Sequence, residues 1–521
     1  MRRLFKVGAD RHAVGPVLFS WHPEGNLLAS VGKNGIVQIT DRHGDIIDEI
    51  PMTNIAPVLI LEWDKDGEYL AILQEGNGVV PLWSTSFHRV TPLDTGLKDP
   101  SFLAWSKTGP QLAVGTAKGN LLIYNKTKKQ KIPIIGKHGK RISCGGWSRT
   151  GNKLALGSDD KSLTISNEAG DTLIHTEVQN MCYSMDFSCN RCIGAANKLD
   201  DMVSANLGGK SLLLFGIGND AEDPIELTFS SAEGSRSSSH YGDIVSHTFF
   251  DGGLLMIGFS KGFLVVVSTF PQDLGEEKNV GRFHSNSLQS FSYNPALRRA
   301  ATSGLDGVRI VDTRDFKEIA SDFISISDLE DGRVTEIAWS PDGTILTIGT
   351  DSGNVYNFLA KMAVLSAKYG SSVAFLSSLR EASVVDAEKK NRPVDVPLKI
   401  EPSFLALGPK HLAAGMNNRV CFHKLAGNGN NSSSTVVSEQ EYMGTVLEVQ
   451  LNLTFAAVLI EGKAMLHPIE AVDGVTKASY TMNFPIRSEG SYSEIRCISL
   501  TENFFFYGTE AGGLINLSLS K

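Results

Sequence analysis

The chain has 521 residues, of which 41% are hydrophobic and 20% charged, and its formal net charge is −8. This length suits two large domains better than a single core, and the acidic balance argues against nucleic acid as a partner. Six cysteines without paired spacing fit a reducing compartment. The basic N-terminus lacks the apolar region of a secretory signal and the apolar runs have strand length, so we expect a cytosolic or peripherally attached protein.

Tryptophans mark a repeat. Trp21, Trp63, Trp105 and Trp147 are 42 residues apart, and Trp339 stands in the same context further along. Each is followed by a polar turn with glycine and then by an apolar run, as in WSKTGPQLAV. A repeat of about 40 to 45 residues with this layout is typical of a WD-type β-propeller, which favours a binding function over catalysis.

Each repeat predicts four short strands. In the first repeat these are PVLFSW, NLLASV, IVQIT and DIIDEI, separated by the turns HPEG, GKNG and DRHG. Glycine and aspartate supply the conformations that tight hairpins need. Because one four-stranded sheet cannot bury both of its faces, neighbouring sheets must stack and the ring must close. The sequence therefore predicts an all-β chain built of tandem propellers.

Later repeats are degenerate but traceable around Phe187, His247 and Tyr293, and the Trp339 repeat is the eighth. We favour a seven-bladed first ring, with RRLFKV as the outer strand of its last blade, while eight blades remain open. This assigns residues 1–330 to the first propeller and residues 331–521, beginning with the Trp339 repeat, to the second.

The second propeller is predicted to be incomplete in this chain. Four strand-rich repeats without tryptophan follow the Trp339 repeat, and the sequence stops after an inner strand. A closed ring usually needs more blades. We therefore expect the chain to be part of a longer protein, with a genuinely open ring as the alternative.

No residues are assigned a catalytic, cofactor-binding or metal-binding role. Cys182, Cys189 and Cys192 lack a fourth zinc ligand, and ordinary strand and turn cysteines are the favoured interpretation. His138 and Asp160 fall where propeller repeats carry a structural hydrogen-bonded pair, which we favour over a catalytic pair. The chain has no GxSxG and no phosphate-binding glycine motif.

The most distinctive surface signal is a basic span. Between Asp99 and Asp159 the sequence has no acidic residue. Such a span could contact an acidic partner segment or an anionic membrane; alternatively, it is a solvated outer strand whose lysines block edge pairing. Reversal of Lys126, Lys128, Lys129 and Lys131 to glutamate is expected to leave the fold intact, because exposed charges contribute little to stability. The candidate contact residues are Lys126, Lys128, Lys129, Lys131, Lys137, Lys140 and Arg141.

Several stretches, taken in order, resemble the family of WD-repeat core subunits of intraflagellar transport complex A. The resemblance covers most of the chain and is strongest in residues 1–175. The stretches that carry it are DRHGDIIDEI (41–50), EWDKDGEYLAIL (62–73), SFLAWSKTGPQLAVGTAKGNLLIYN (101–125), GKHGKRISCGGW (136–147), LALGSDDKSLTISNEAGDT (154–172), LAAGMNNRVCF (412–422) and EGKAMLHPIE (461–470).

The resemblance implies a non-enzymatic scaffold of retrograde ciliary transport that also helps to import membrane cargo. It implies no cofactor, and its implied partners are other complex A subunits, membrane-receptor cargo adaptors and, peripherally, an anionic membrane. The implied location is the cytoplasm, the cilium or flagellum and its basal body. The family pairs two propellers with a helical solenoid, which this chain lacks, and no contact residue is carried over by position.

Two other functions share the architecture. A vesicle-coat-like cargo adaptor would want acidic residues at a ring mouth to bind a dibasic tail, whereas residues 99–159 offer the opposite charge. A propeller enzyme would need carboxylates or histidines converging on the central channel, and no motif suggests them.

Overall fold

The structure is a computed structural model whose contacts divide the chain into two units, Met1–Lys361 and Met362–Lys521. Within the residues that it describes, no helix is long and apolar enough to cross a membrane. The described residues are 1–52, 56–188, 202–216, 224–229, 241–250, 253–388, 393–426, 433–470, 481–485 and 493–519.

The first unit is a series of antiparallel sheets preceded by β1 (Arg2–Val7) and a short helix, α1 (Ala9–His12). The strands of its first four sheets are, in chain order, β2 (Leu18–Trp21), β3 (Leu27–Val31), β4 (Ile36–Asp41), β5 (Ile46–Pro51), β6 (Val58–Trp63), β7 (Tyr69–Gln74), β8 (Val79–Ser84), β9 (Arg89–Asp94), β10 (Pro100–Trp105), β11 (Gln111–Thr116), β12 (Leu121–Asn125), β13 (Gln130–Ile134), β14 (Ile142–Trp147), β15 (Lys153–Ser158), β16 (Ser162–Asn167) and β17 (Thr172–Glu177).

The remaining strands of this unit form four more sheets. They are β18 (Ser184–Phe187), β19 (Met202–Asn206), β20 (Ser211–Gly216), β21 (Ile225–Thr228), β22 (Ile244–Phe250), β23 (Leu254–Phe259), β24 (Phe263–Ser268), β25 (Glu277–Arg282), β26 (Leu288–Asn294), β27 (Arg299–Gly304), β28 (Gly307–Asp312), β29 (Lys317–Glu318), β30 (Ile324–Ser325), β31 (Val334–Trp339), β32 (Ile345–Thr350) and β33 (Val355–Leu359). Two 3-10 turns, Ala320–Asp322 and Ile326–Leu329, accompany the seventh sheet.

Neighbouring sheets stack face to face, which explains the apolar inner strands. Four successive residues of β7, from Leu70 to Leu73, have no exposed surface. Successive side chains of a strand point to opposite faces, so β7 is covered on both sides. The turn before it requires glycine: Gly67 has φ +71°, and an added Cβ would lie 1.8 Å from Nε2 of His22 in the preceding sheet.

Two of the repeated tryptophans, Trp63 and Trp147, tie their sheet to the one before it by a hydrogen bond, whereas the buried Nε1 of Trp105 has no hydrogen-bond partner among the described residues. The indole Nε1 of Trp63 donates to the carbonyl oxygen of Ser20 at 3.1 Å, and that of Trp147 donates to the carbonyl oxygen of Ala104 at 3.0 Å. Both rings are buried. The spacing of the tryptophans therefore reflects a buried ring at the same place in successive sheets, to which Trp63 and Trp147 add a hydrogen bond.

Substitution of Trp147 separates these two contributions. Trp147→Phe should cost about 1 to 3 kcal/mol, because the buried carbonyl of Ala104 loses its donor, and Trp147→Ala about 3 to 5 kcal/mol. Urea unfolding followed by circular dichroism measures both, with Phe87→Ala as a control because the Phe87 ring is exposed. Equal stability of Trp147→Phe and the unaltered chain would contradict a role for the indole hydrogen bond.

The eighth sheet closes the ring onto the first. Trp21 Nε1 donates to Thr347 Oγ1 at 2.9 Å, repeating between the first and eighth sheets the link found elsewhere. Arg42 and Asp342 pair across the same junction at 2.9 Å. The first unit is therefore a closed propeller of eight sheets.

This count corrects the preference for seven blades and places the division after residue 361 rather than after residue 330. The order of the eighth sheet is β1-β33-β32-β31, with Arg2 opposite Leu359 and Val7 opposite Val355. The N-terminal strand is thus the outer strand of the last blade, as predicted, but that blade contains Trp339. Because β1 pairs with β33, the Trp339 repeat belongs to the first ring.

Among the described residues the second unit has four sheets, fewer than the eight of the first, in agreement with the predicted incomplete second propeller. Its strands are β34 (Ser366–Tyr369), β35 (Ser372–Ser378), β36 (Glu381–Asp386), β37 (Val394–Pro397), β38 (Phe404–Leu407), β39 (His411–Met416), β40 (Arg419–Ala426), β41 (Ser433–Glu441), β42 (Val446–Leu451), β43 (Phe455–Ile460), β44 (Lys463–Pro468), β45 (Met482–Phe484), β46 (Ile495–Leu500), β47 (Phe504–Thr509) and β48 (Leu514–Ser518).

Candidate interaction surface

The predicted basic residues divide between the two ends of the third sheet. Lys126, Lys128 and Lys129 lie in the β12–β13 turn, where the Lys126 amide donates to the carbonyl of Pro110 in the β10–β11 turn. Residues 135–141 lie beside the β11–β12 turn instead, where the His138 amide donates to the carbonyl of Gly119. We call the end with the β10–β11 and β12–β13 turns the lower end. The upper end of each sheet carries the turn between its second and third strands and the connection to the next sheet.

Lys126 is part of the fold rather than a free surface charge. Its Nζ bonds Asp64 Oδ2 and lies 2.9 Å from Asp66 Oδ2, both in the turn between β6 and β7 of the neighbouring sheet. The Lys126 side chain is 15% exposed and that of Asp64 only 1%. Burial lowers the pKa of Lys126, but hydrogen bonds and attraction to the two carboxylates outweigh it and leave the pKa raised. This ion pair fastens the third sheet to the second.

The other cations of the β12–β13 hairpin differ among themselves. Lys128 and Lys129 are exposed in the turn. Lys131 is also exposed, but its Nζ donates to the carbonyl of Asp94 at the end of β9. Lys128 and Lys129 therefore present charges at the lower end of this hairpin that make no side-chain bond with the described residues.

The side chain of Lys137 also makes hydrogen bonds, and its partners belong to the fourth sheet. Its Nζ lies 2.9 Å from the carbonyl oxygen of Gly170 and 2.5 Å from Thr172 Oγ1. Burial lowers the pKa of Lys137 to about 8, against the attraction of Asp171. By contrast, the side chains of Lys140 and Arg141, just before β14, are exposed and make no ion pair with the described residues.

His138 and Asp160 form the predicted structural pair. His138 Nδ1 and Nε2 lie 2.9 Å from the hydroxyls of Ser162 and Thr164, and Asp160 accepts the amide of Gly139 at 2.7 Å. Burial lowers the pKa of His138, which favours the neutral ring. The pair fixes the connection that carries Lys140 and Arg141.

The same device recurs at the seventh sheet, where His284 Nδ1 lies 2.6 Å from Asp306 Oδ1 and its Nε2 lies 3.1 Å from Thr302 Oγ1. This recurrence supports a structural rather than a catalytic role. Of the three cysteines considered for zinc, Cys182 is buried, and Cys189 and Cys192 lie outside the described residues.

Sequence reasoning missed two further cations at the upper end. They are Lys161 and Lys210, which lie in the turn between the second and third strands of the fourth and fifth sheets. The equivalent turn of the third sheet contains Lys118, which is inside the acid-free span. Lys161 and Lys210 fall outside the acid-free span and were therefore not considered. Comparison of equivalent turns, AKG, DDK and GGK, would have found them.

Comparison with known proteins decides the family. A family model described as the first β-propeller of WDR19 matches residues 17–353, and one described as the second β-propeller of WDR19 matches residues 373–521. The chain belongs to the WDR19 family. The two matches also lie on either side of the division between Lys361 and Met362.

Curated relatives agree. WD repeat-containing protein 19 of Homo sapiens is 36% identical over 515 residues, and that of Mus musculus is 36% identical over 514. WD repeat-containing protein dyf-2 of Caenorhabditis elegans is 26% identical over 539 residues. The alignments cover 98%, 98% and 99% of this chain, which spans 37% of the length of each relative.

Two solved structures share the fold. One is Chaetomium thermophilum Sqt1 bound to the N-terminus of the ribosomal protein L10, with a TM-score of 0.52 and 16% identity, covering 67% of this chain and 98% of that chain. The other is the computationally designed Ika8 protein, with a TM-score of 0.50 and 15% identity, covering 69% and 100%. At these identities the likeness concerns the fold alone.

Proposed function

We propose that the chain is the propeller part of a non-enzymatic scaffold subunit of intraflagellar transport complex A, acting in retrograde ciliary transport and in the ciliary import of membrane cargo. The observation that carries this proposal is the 36% identity over 98% of the chain to mammalian WD repeat-containing protein 19. The partners are other complex A subunits and membrane-receptor cargo adaptors, and the location is the cytoplasm, the cilium and its basal body.

The mechanism is the presentation of surfaces by a rigid ring. The eight sheets of the first unit stack on one another, and several neighbours are also tied by hydrogen bonds of buried tryptophans such as Trp147 or by ion pairs such as that of Lys126 with Asp64. The connecting turns can then hold contact residues in fixed positions. The histidine and aspartate side chains at His138 and Asp160 support the turns, which favours a binding over a catalytic role.

The test is affinity purification of the endogenously tagged, full-length protein, analysed by mass spectrometry, together with fluorescence imaging of its location. We expect complex A subunits to co-purify, a bait well above the 56.3 kDa of this chain, and signal at the cilium and basal body. An unrelated cytosolic propeller with the same tag is the control. Vesicle-coat components in place of complex A subunits would overturn the proposal.

A further inference from the structure

We propose that the upper end of the third to fifth sheets is a docking surface for an acidic peptide segment that also carries an apolar side chain. The cations of this surface are Lys118, Lys140, Arg141, Lys161 and Lys210, and we call it the upper basic surface. The inference deepens the proposed scaffold function, on which it rests, by giving one surface a partner of defined chemistry.

The five cations form a continuous series because backbone contacts join the segments that carry them. An added Cβ on Gly119, next to Lys118, would lie 2.7 Å from the carbonyl oxygen of Lys140. The carbonyl of Arg141 accepts the amide of Asp159 at 2.9 Å, which brings the Lys161 turn alongside.

The series continues from the fourth to the fifth sheet. The carbonyl of Lys161 accepts the amide of Val178 at 2.8 Å, at the start of the connection to the fifth sheet. The same connection contains Tyr183, whose amide donates to the carbonyl of Asn206 at the end of β19. The Tyr183 ring lies against Gly208, which is in the same turn as Lys210.

The cations of this surface differ in their pairing from several cations at the lower end of the same ring, although Lys128 and Lys129 there are unpaired as well. Among the described residues, none of the five makes an ion pair, whereas at the lower end Lys107 pairs with Glu62 at 3.2 Å and Lys126 with Asp64. Arg42 and Arg299 likewise pair with carboxylates. Charges already neutralised within the fold have little to offer a partner. Lys128 and Lys129 are two neighbours in a single turn, whereas the five upper cations extend over three sheets, so the attraction of an extended acidic ligand is greater at the upper end.

Lys161 is held in a conformation that a lysine adopts at a cost. Its φ is +67°, in the left-handed region, where the equivalent residue of the third sheet is Gly119 with φ +78°. Glycine has no Cβ to clash there, whereas other residues are disfavoured. A lysine in place of the preferred glycine agrees with a role for its charge rather than for its backbone.

Apolar side chains complete the surface. Tyr183 is 63% exposed and Met181 is 40% exposed, both in the connection between the fourth and fifth sheets. A tyrosine beside cations suits a peptide in which acidic residues flank an apolar one, because the ring offers contact area at low entropic cost.

A peptide fits this surface better than a membrane because carboxylates interrupt it. Asp159 lies in the Lys161 turn, and Asp99 and Asp243 flank the surface in the connections before the third and sixth sheets. A uniformly anionic plane would meet these carboxylates together with the cations, whereas a narrow segment can place its acids beside the cations alone.

The experiment measures binding of a short fluorescein-labelled peptide of glutamates with a central phenylalanine and leucine, by fluorescence anisotropy with the purified chain. Its counterpart with glutamines in place of the glutamates is the ligand control. We expect Lys140→Glu/Arg141→Glu to weaken binding of the acidic peptide about tenfold or more, because two attractions become repulsions. The matched control Lys128→Glu/Lys129→Glu carries the same change of charge at the lower end and should alter affinity less than about twofold.

Three outcomes would overturn the inference: no binding of the acidic peptide, equal binding of the glutamine peptide, or equal weakening by both double variants. Vesicles of phosphatidylserine and phosphatidylcholine form a further arm. Vesicle binding that the upper variant abolishes, without peptide binding, would assign the surface to a membrane and also overturn the inference. Co-purification with complex A subunits is measured separately, so failure of the surface and failure of the scaffold function remain distinguishable.

The variant Lys161→Gly tests whether weaker peptide binding results from the lost charge rather than from misfolding. Glycine suits φ +67° better than lysine, so this variant should melt at the same or a higher temperature than the unaltered chain. We nevertheless expect about threefold weaker binding of the acidic peptide, because one cation of the surface is lost. Unchanged affinity in this well-folded variant would contradict the inference.

Discussion

Deletion of the N-terminal strand β1 is expected to lower the free energy of unfolding by on the order of 5 kcal/mol. The strand is held by its ladder with β33, from Arg2 opposite Leu359 to Val7 opposite Val355. Val7 is buried, so its apolar contact is lost with the strand. Deletion would also leave β33 as an unprotected edge next to the junction that closes the ring.

Chemical unfolding followed by circular dichroism, together with light scattering for aggregation, measures this effect. Arg3→Ala is the control: the Arg3 side chain is half exposed and 3.9 Å from Glu330, so its loss should be almost neutral. An unaltered unfolding midpoint after deletion of β1 would show that the eighth sheet is complete with three strands.

Lys126→Glu is expected to destabilise the chain by about 3 kcal/mol or more. The substitution removes the partner of Asp64, which is almost fully buried, and adds a third carboxylate beside Asp64 and Asp66. This outcome would differ from the sequence-based expectation that reversal of Lys126, Lys128, Lys129 and Lys131 leaves the fold intact. Lys128→Glu, two residues away in the same turn, changes the same charge on an exposed side chain and should shift stability by less than about 0.5 kcal/mol.

The pH dependence provides a second check on Lys126→Glu. The hydrogen bond from Lys126 holds the pKa of Asp66 below its ordinary value. The attraction between the two side chains therefore stabilises the fold at any pH above the ordinary pKa of aspartate, and this stabilisation is lost as the pH falls through the lowered pKa. Below about pH 4 protonation also removes the repulsion in the variant. The difference between Lys126→Glu and the unaltered chain should therefore shrink in acid; a constant difference would point to lost packing rather than to charge.

The repeat could be predicted from the sequence because one interaction recurs at a fixed spacing. Trp63 and Trp147 each end the first strand of a sheet and donate to the sheet before it, and the polar turns follow as expected. The number of sheets could not be predicted, because it depends on β1 pairing with β33 at the far end of the ring. A local pattern does not show which of several similar repeats an isolated strand completes.

The charged surface was predicted less well, for a related reason. The sequence shows that Lys126 is basic but not that Asp64 and Asp66 reach it from the neighbouring sheet. The acid-free span ended at Asp159 and so excluded Lys161, although its turn is equivalent to that of Lys118. Position within the repeat, rather than distance along the chain, decides which cations lie together.

The pairing of β1 with β33 has a consequence for biosynthesis. The strand β1 is made before the rest of the ring and is paired only when residues near Val355 have been made, which at ordinary rates of translation is about 20 to 70 s later. During that interval β1 is a free strand, and Arg2, Arg3 and Lys6 give it the positive charge that discourages premature pairing. The ring can therefore stack sheet upon sheet as it is synthesised, but it becomes a closed structure only at the end.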